Sequence, residues 1–225
     1  MKTKILIISL LLLLPTFLIA QNKNSLTVKV DGKEFKTEPR RINFKHYVYY
    51  TGNISKPETM LRIWLADFTG APTTKSGRYL VIDNENPLSK KEINEQLLTK
   101  KYEGFAFVRY VVETKSPRMA YHVGDSGNKN ETITVNKRED GNLELSFNLE
   151  LNGTYWKEKA GATVFGGLGR LQNKMEDKLI SKATGFDWNI DPEGNGYRKQ
   201  KETDIIKLTD GKMIINLKDK DVSDK

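Results

Sequence analysis

The sequence predicts an all-β protein, an antiparallel β-sandwich or calycin-like barrel of about ten strands with one or two short helices. The strongest observation is the strict alternation of apolar and polar residues over residues 143–152, which puts the apolar side chains on one face of a strand. Similar runs recur along the chain, and Asp-Gly pairs at Asp31, Asp140 and Asp210 favour tight turns between them. Such alternation is typical of antiparallel sheets with one solvated face.

Further runs are predicted as strands because apolar and polar residues alternate in them and because they are rich in β-branched and aromatic residues. They lie at residues 26–30, 41–50, 60–68, 78–82, 105–112, 119–123, 132–135, 205–208 and 213–217. The Asp-Gly pair at Asp210 separates the last two runs, so we expect them to form a hairpin.

Two segments depart from the period of two. Ser89 and Glu92 have the spacing of a capping box, which predicts a helix over residues 90–101. Leu88 and Ile93 are placed as the hydrophobic staple of that cap. We expect this helix to connect two strands and to pack on the sheet. A second helix is predicted from apolar residues at helical spacing, namely Leu168, Leu171, Met175 and Leu179.

The amino terminus has the features of a secretory signal peptide. Lys2 and Lys4 precede an apolar run, and Ala20 suits cleavage before Gln21. The run is shorter than the roughly 20 apolar residues that cross a bilayer, so cleavage is favoured over retention as an anchor. We therefore expect a signal peptide at residues 1–20, a single β domain at 21–217 and a charged flexible tail at 218–225. The predicted location is secreted or periplasmic, with membrane contact only through the signal peptide.

The sequence contains no cysteine. This excludes disulfides, thiolate metal sites, a cysteine nucleophile and the lipid attachment of a bacterial lipoprotein, so stability must come from packing. The formal net charge is +8, with basic residues spread among acidic ones. Such a charge suits contact with lipopolysaccharide, acidic glycans or phospholipid headgroups, and it serves ordinary solubility equally well. Without a compact basic cluster, no nucleic-acid partner is predicted.

Three short segments each combine a turn or a glycine with the start of a strand. They are Val-Asp-Gly-Lys-Glu-Phe at 30–35, Ser-Gly-Arg-Tyr-Leu-Val at 76–81 and Thr-Asp-Gly-Lys-Met-Ile-Ile at 209–215. The three segments resemble short motifs that recur in small exported calycin-like or β-sandwich domains of Bacteroidota. The resemblance implies an all-β domain, often without an assigned activity, and it transfers no functional residue to this chain.

One segment has part of the pattern of a calcium loop. Asp187, Asn189 and Asp191 hold its first, third and fifth positions, but Pro192 replaces the glycine and Arg198 replaces the closing glutamate. A non-standard calcium site and an Asx-rich surface turn are the two interpretations. No metal or cofactor is predicted.

Four residues are candidates for ligand binding because they are polar or aromatic and in phase with apolar strand positions: His46, Arg62, Trp64 and Arg109. If these faces line a barrel, the guanidinium groups hold the acidic head of a ligand whose apolar body lies against the aromatic rings. In the alternative, which we favour, the arginines face water and the alternate rows that begin at Leu61 and Ala106 form the core. His46 is then a hydrogen-bonded core residue.

These observations predict an exported, non-enzymatic binding module of the bacterial envelope for an apolar or acidic small molecule, such as a lipid. A protein-interaction module, with an envelope protein as partner, is the alternative. It is suggested by a strand face that carries Arg41, Lys45, Tyr47 and Tyr49. A glycan-acting hydrolase is third, since paired carboxylates leave no spacing rule in sequence. No catalytic residue is predicted, because the serine-elbow and zinc-helix motifs do not occur.

Overall fold

The computed structural model describes residues 24–44, 47–53, 59–83, 89–114, 120–127, 130–159 and 197–218. Within these ranges the chain is mostly strand, which confirms the predicted all-β class. In chain order the elements are β1 (Ser25–Val30), β2 (Lys33–Thr37), β3 (Arg40–Phe44), β4 (Tyr47–Asn53), β5 (Thr59–Ala66), β6 (Gly77–Val81), α1 (Lys90–Thr99), β7 (Gly104–Thr114), β8 (Ala120–Ser126), β9 (Thr132–Lys137), β10 (Asn142–Glu158) and β11 (Tyr197–Asn216).

The strands form one sheet that is split in its middle. Its order is β2-β1-β11-β10-β9-β6-β7-β5-β4-β3, and β8 pairs with both β10 and β7. The first half of β10 pairs with β9, and its second half pairs with β8. In the same way β7 pairs with β6 at its start and with β8 further along. The pair β9–β6 and the strand β8 therefore lie end to end between β10 and β7.

Ser126 joins the elements at this split. Its hydroxyl donates a hydrogen bond to the carbonyl oxygen of Ile82 at 2.7 Å and accepts one from the backbone N–H of Val108 at 3.3 Å. The Ser126 side chain is buried, with 2% of its surface exposed. A buried backbone group without a hydrogen-bond partner is costly. The Ser126 hydroxyl therefore supplies partners for the N–H of Val108 and the carbonyl oxygen of Ile82 at the split of the sheet.

The main hydrophobic core lies on one face of the sheet. The alternating apolar residues of β10 are buried there, as predicted, and so are the rows of β5 and β7 that begin at Leu61 and Ala106. The same cluster contains side chains of β1, β6, β9 and β11. Strands that are far apart in sheet order share one core, so the sheet curls over this face, as in a sandwich or barrel.

One strand pair differs from the predicted antiparallel pattern. β6 and β7 run parallel, with Leu80 opposite Phe105. Parallel neighbours need a crossover connection, and α1 supplies it. The predicted capping box is present: the Ser89 N–H donates to the Glu92 carboxylate at 2.7 Å, and the Ser89 hydroxyl accepts from the Glu92 N–H at 3.3 Å. α1 begins where predicted, ends at Thr99, and packs on the sheet through Ile93.

Two strand predictions are wrong. Residues 41–44 belong to β3 and residues 47–50 to β4, and these two strands pair antiparallel. Residues 205–208 and 213–217 do not form a hairpin, because most of both runs belongs to the continuous strand β11. The Asp-Gly turns at Asp31 and Asp140 do occur, after β1 and before β10.

The Asp-Gly pair at Asp210 is a bulge inside β11. Asp210 has a left-handed φ of 53°, and the pairing with β10 shifts between Phe147 and Leu149. The N–H of Asp210 donates to the side-chain oxygen of Asn148 at 2.8 Å, so the displaced backbone group keeps a hydrogen bond. β11 is paired on both edges, with β1 and with β10, and the extra residue is therefore absorbed as a bulge.

Several predictions fall outside the described residues. They are the signal peptide at 1–20, the second helix with its residues Leu168 to Leu179, the calcium-loop pattern at Asp187, Asn189 and Asp191, the staple residue Leu88, His46, Lys45, the side chains of Tyr47 and Tyr49, and most of the tail at 218–225. The part of the chain that the structure describes has no helix with the length and apolar character needed to cross a membrane.

Candidate functional site

A surface on β5, β7 and β8 brings together most of the predicted site residues. We call it the arginine–aromatic face and define it by Arg62, Trp64, Phe107, Arg109 and Asp125. The neighbours of these residues along β5 and β7 point into the main core. Because side chains alternate along a strand, burial of those neighbours turns the arginine–aromatic face to the other side of the sheet.

The register of β5 and β7 places chemically similar side chains opposite each other on this face. Trp64 is directly opposite Phe107, and Arg62 is directly opposite Arg109. The next pair along the ladder is Met60 with Val111. The face therefore changes from an aromatic pair to an arginine pair to an apolar pair within one ladder.

The aromatic pair forms a stacked platform. The ring centroids of Trp64 and Phe107 are 4.5 Å apart, with an angle of 15° between the ring planes. Both side chains are half-buried. Phe107 packs against a small apolar cluster that contains Leu80 and Phe105, and this contact holds one edge of the platform. Side chains of this kind bury the apolar or planar part of a ligand.

Arg109 is held by a carboxylate from the neighbouring strand. Its Nε donates to Asp125 Oδ1 at 2.7 Å and its Nη2 donates to Asp125 Oδ2 at 3.3 Å. The two side chains are 18% and 26% exposed, so water screens this ion pair only in part. The two-point contact fixes the plane of the guanidinium group.

Arg62 lies against the second apolar cluster of this side of the sheet. Its Nε is 3.2 Å from the sulfur of Met60, which is fully buried in that cluster with Val111 and Val123. Like charges at directly opposed positions of a ladder repel each other. Asp125 lowers that cost at Arg109, and a bound anion would lower it further.

The structure therefore brings three of the four predicted ligand-binding residues, Arg62, Trp64 and Arg109, into one surface, while His46 lies outside the described residues. These residues do not line the main core. The rows that begin at Leu61 and Ala106 form the core, as the favoured alternative predicted, but Arg109 is only 18% exposed and pairs with Asp125 instead of facing water freely.

Asp125 was not predicted as part of the site. Asp125 is two residues from Val123 and therefore shares its strand face, but only the pairing of β8 with β7 puts it opposite Arg109. Sequence offered no sign of that pairing.

A second polar cluster lies on the opposite face of the sheet. It consists of His122 on β8, Tyr155 on β10 and Asp204 on β11. The imidazole ring stacks on the Tyr155 ring with centroids 4.3 Å apart, and His122 Nε2 is 2.8 Å from Asp204 Oδ1. The Tyr155 hydroxyl donates to Asp204 Oδ2 at 3.0 Å. Burial raises the pKa of Tyr155, and its hydrogen bond to the Asp204 carboxylate adds to the effect.

This second cluster is a network of side chains that satisfy one another. A carboxylate that orients a histidine is a common arrangement in hydrolases, but here a tyrosine takes the other carboxylate oxygen. Among the described residues, no three side chains of the types His, Cys, Asp and Glu come together in a way that could hold a metal ion. The arginine–aromatic face is therefore the better candidate for ligand binding.

Comparisons with protein-family models, with curated proteins and with solved structures found no match for this chain.

Proposed function

We propose that this protein is an exported, non-enzymatic binding module whose arginine–aromatic face takes a small molecule with an acidic group and a planar or apolar body. The observation that carries the proposal is the β5–β7 register, which sets the Arg62–Arg109 pair beside the stacked Trp64–Phe107 pair. An anionic head and an apolar body then have complementary partners at neighbouring positions.

The chemistry of the face suits binding better than proton transfer. Guanidinium groups match the geometry of a carboxylate or phosphate through two parallel N–H donors. Asp125 orients Arg109 and is itself occupied by that contact. The aromatic pair offers apolar surface without polar groups that react. These residues supply charge, stacking and orientation to a ligand.

The proposal is tested with ligand pairs that differ only in charge. The purified full chain is titrated with long-chain and aromatic carboxylic acids and, in parallel, with their methyl esters, and the thermal midpoint and the dissociation constant are measured. We expect the acids to bind and to raise the midpoint, and the esters to bind at least about tenfold more weakly, because a charge-assisted hydrogen bond is lost. Equal affinity for acids and esters contradicts the proposal.

Variants locate the binding surface. Arg62→Gln and Trp64→Ala should each weaken acid binding by roughly tenfold or more, while leaving the fold intact. The matched control is Arg78→Gln, because Arg78 is an exposed arginine on β6 outside the face. Native mass spectrometry of the freshly purified protein adds a test that needs no chosen ligand. An extractable bound acid that Trp64→Ala fails to retain supports the proposal, and retention by that variant contradicts it.

A further inference from the structure

Helix α1 presents two leucines to solvent. No residue of α1 is buried, and Ile93 supplies its packing against the apolar cluster of Leu80 and Phe105. Leu97 is 46% exposed and Leu98 is 83% exposed. Among the described residues, Ile205 is the other large apolar residue that is exposed. The two adjacent leucines form a small exposed apolar surface at the end of α1.

Basic side chains flank these leucines on both sides. Lys90 and Lys91 begin the helix, Lys100 and Lys101 follow its end, and all four are exposed. Lys90 precedes Leu97 by seven residues, and Lys91 precedes Leu98 by the same interval. Seven residues are about two helical turns, so each leucine lies nearly in line with a lysine.

Each acidic side chain of the same segment has a partner, and that of Glu95 is Lys91 of the same exposed helix face. Glu92 accepts the hydrogen bonds of the capping box, Glu95 lies 4.0 Å from Lys91, and Glu103 pairs with Lys75. Lys101 lies over the ring of Tyr102, 5.0 Å from its centroid. The surface around Leu97 and Leu98 therefore combines exposed apolar side chains with a basic border.

We propose that α1 docks on the surface of an anionic phospholipid bilayer. Leu97 and Leu98 enter the boundary between headgroups and acyl chains. Lys90, Lys100 and Lys101 lie against the lipid phosphates, while Lys91 stays beside Glu95. The lysines favour an anionic bilayer over a purely apolar groove on another protein, because the bilayer attracts their charge and such a groove does not. Two leucines and a few lysines give reversible binding that salt weakens.

The test is co-sedimentation of the full chain with vesicles of phosphatidylglycerol and phosphatidylcholine, compared with vesicles of phosphatidylcholine alone. We expect binding to the anionic vesicles, little binding to the neutral ones, and release in high salt. Leu98→Ser should lower the partition coefficient roughly tenfold, because a leucine side chain no longer leaves water. Ile205→Ser is the matched control, since it removes an exposed apolar side chain elsewhere, and it should leave binding unchanged.

A second variant tests the basic border. Lys100→Gln combined with Lys101→Gln should reduce binding to anionic vesicles, and Lys33→Gln combined with Lys36→Gln on β2 is its control. Equal binding to both vesicle types, or no effect of Leu98→Ser in a folded variant, overturns the proposal. So does a Leu98-dependent dimer in sedimentation velocity without vesicle binding, because the occupant is then a second copy of the chain. None of these variants touches the arginine–aromatic face, so the two proposals fail independently.

Discussion

His122 and Asp204 contact each other across an intervening strand that contains neither residue. His122 lies on β8 and Asp204 on β11, and β10 runs between these strands. Gly153 of β10 is opposite Gly124 on one side and Asp204 on the other. Because Gly153 has no side chain, the imidazole and the carboxylate approach to 2.8 Å above its backbone.

Gly153→Ala should therefore destabilise the fold. A Cβ at this position overlaps Asp204 Oδ1 and lies 2.9 Å from His122 Nε2. We expect the free energy of unfolding to fall by about 1–3 kcal/mol, the usual cost of overpacking. Urea unfolding measures the effect. In an Asp204→Ala background the same substitution should cost clearly less, and an equal cost in both backgrounds contradicts the explanation.

Two leucines should differ sharply in their effect on stability. Leu145 is fully buried in the main core, whereas Leu98 is 83% exposed. Leu145→Ala should lower the free energy of unfolding by about 2–5 kcal/mol, because it leaves a cavity. Leu98→Ala should change it by no more than about 0.5 kcal/mol. Denaturant unfolding of both variants checks this, and a large loss for Leu98→Ala would show that the residue serves packing and not surface contact.

Asp125→Asn should weaken both the fold and the proposed site. The variant removes the negative charge beside the partly buried Arg109, and we expect a loss of about 1 kcal/mol in the free energy of unfolding, because the pair is partly exposed to water. Acid binding should also weaken, since Arg109 loses the contact that orients its guanidinium group. A double-mutant cycle with Arg109→Gln measures the coupling, and additive effects would show that the two side chains act separately.

Tyr110 should make the protein less stable at alkaline pH. Burial raises the pKa of Tyr110 from 10.0 to about 12, and Asp31 contributes to the shift. The unfolded chain releases this proton near pH 10 and the folded protein near pH 12. The stabilising effect is thus complete below pH 10 and is lost as the pH rises towards 12, by about 2–3 kcal/mol in all.

Unfolding in urea between pH 9 and 11 measures this slope, and Tyr110→Phe should reduce it. Burial also raises the pKa of Tyr79. The Tyr110→Phe variant should therefore still lose some stability as the pH rises. A slope that Tyr110→Phe leaves unchanged contradicts the assignment to Tyr110.

Several elements could be predicted from the sequence because local interactions decide them. The alternation in β10 placed Leu143 to Leu151 in the core, because side-chain direction along a strand depends only on parity. The cap of α1 is formed by Ser89 and Glu92, which are three residues apart. The turn at Asp31 needs only a backbone that adopts positive φ at Asp31 and Gly32. Each of these features is decided within a few neighbouring residues.

By itself, the sequence determined the all-β class, most of the strands, the first helix, and the set of arginines and aromatic residues from which a site could form. Only the tertiary structure decided which of them meet. Asp210 looks locally like a hairpin turn, but pairing of β11 on both edges makes it a bulge. Asp125 reaches Arg109 because β8 joins β7, and Asp204 reaches His122 across 82 residues of chain. Such contacts depend on strand order and sheet curvature, which arise from the packing of the whole core and leave no trace in local spacing.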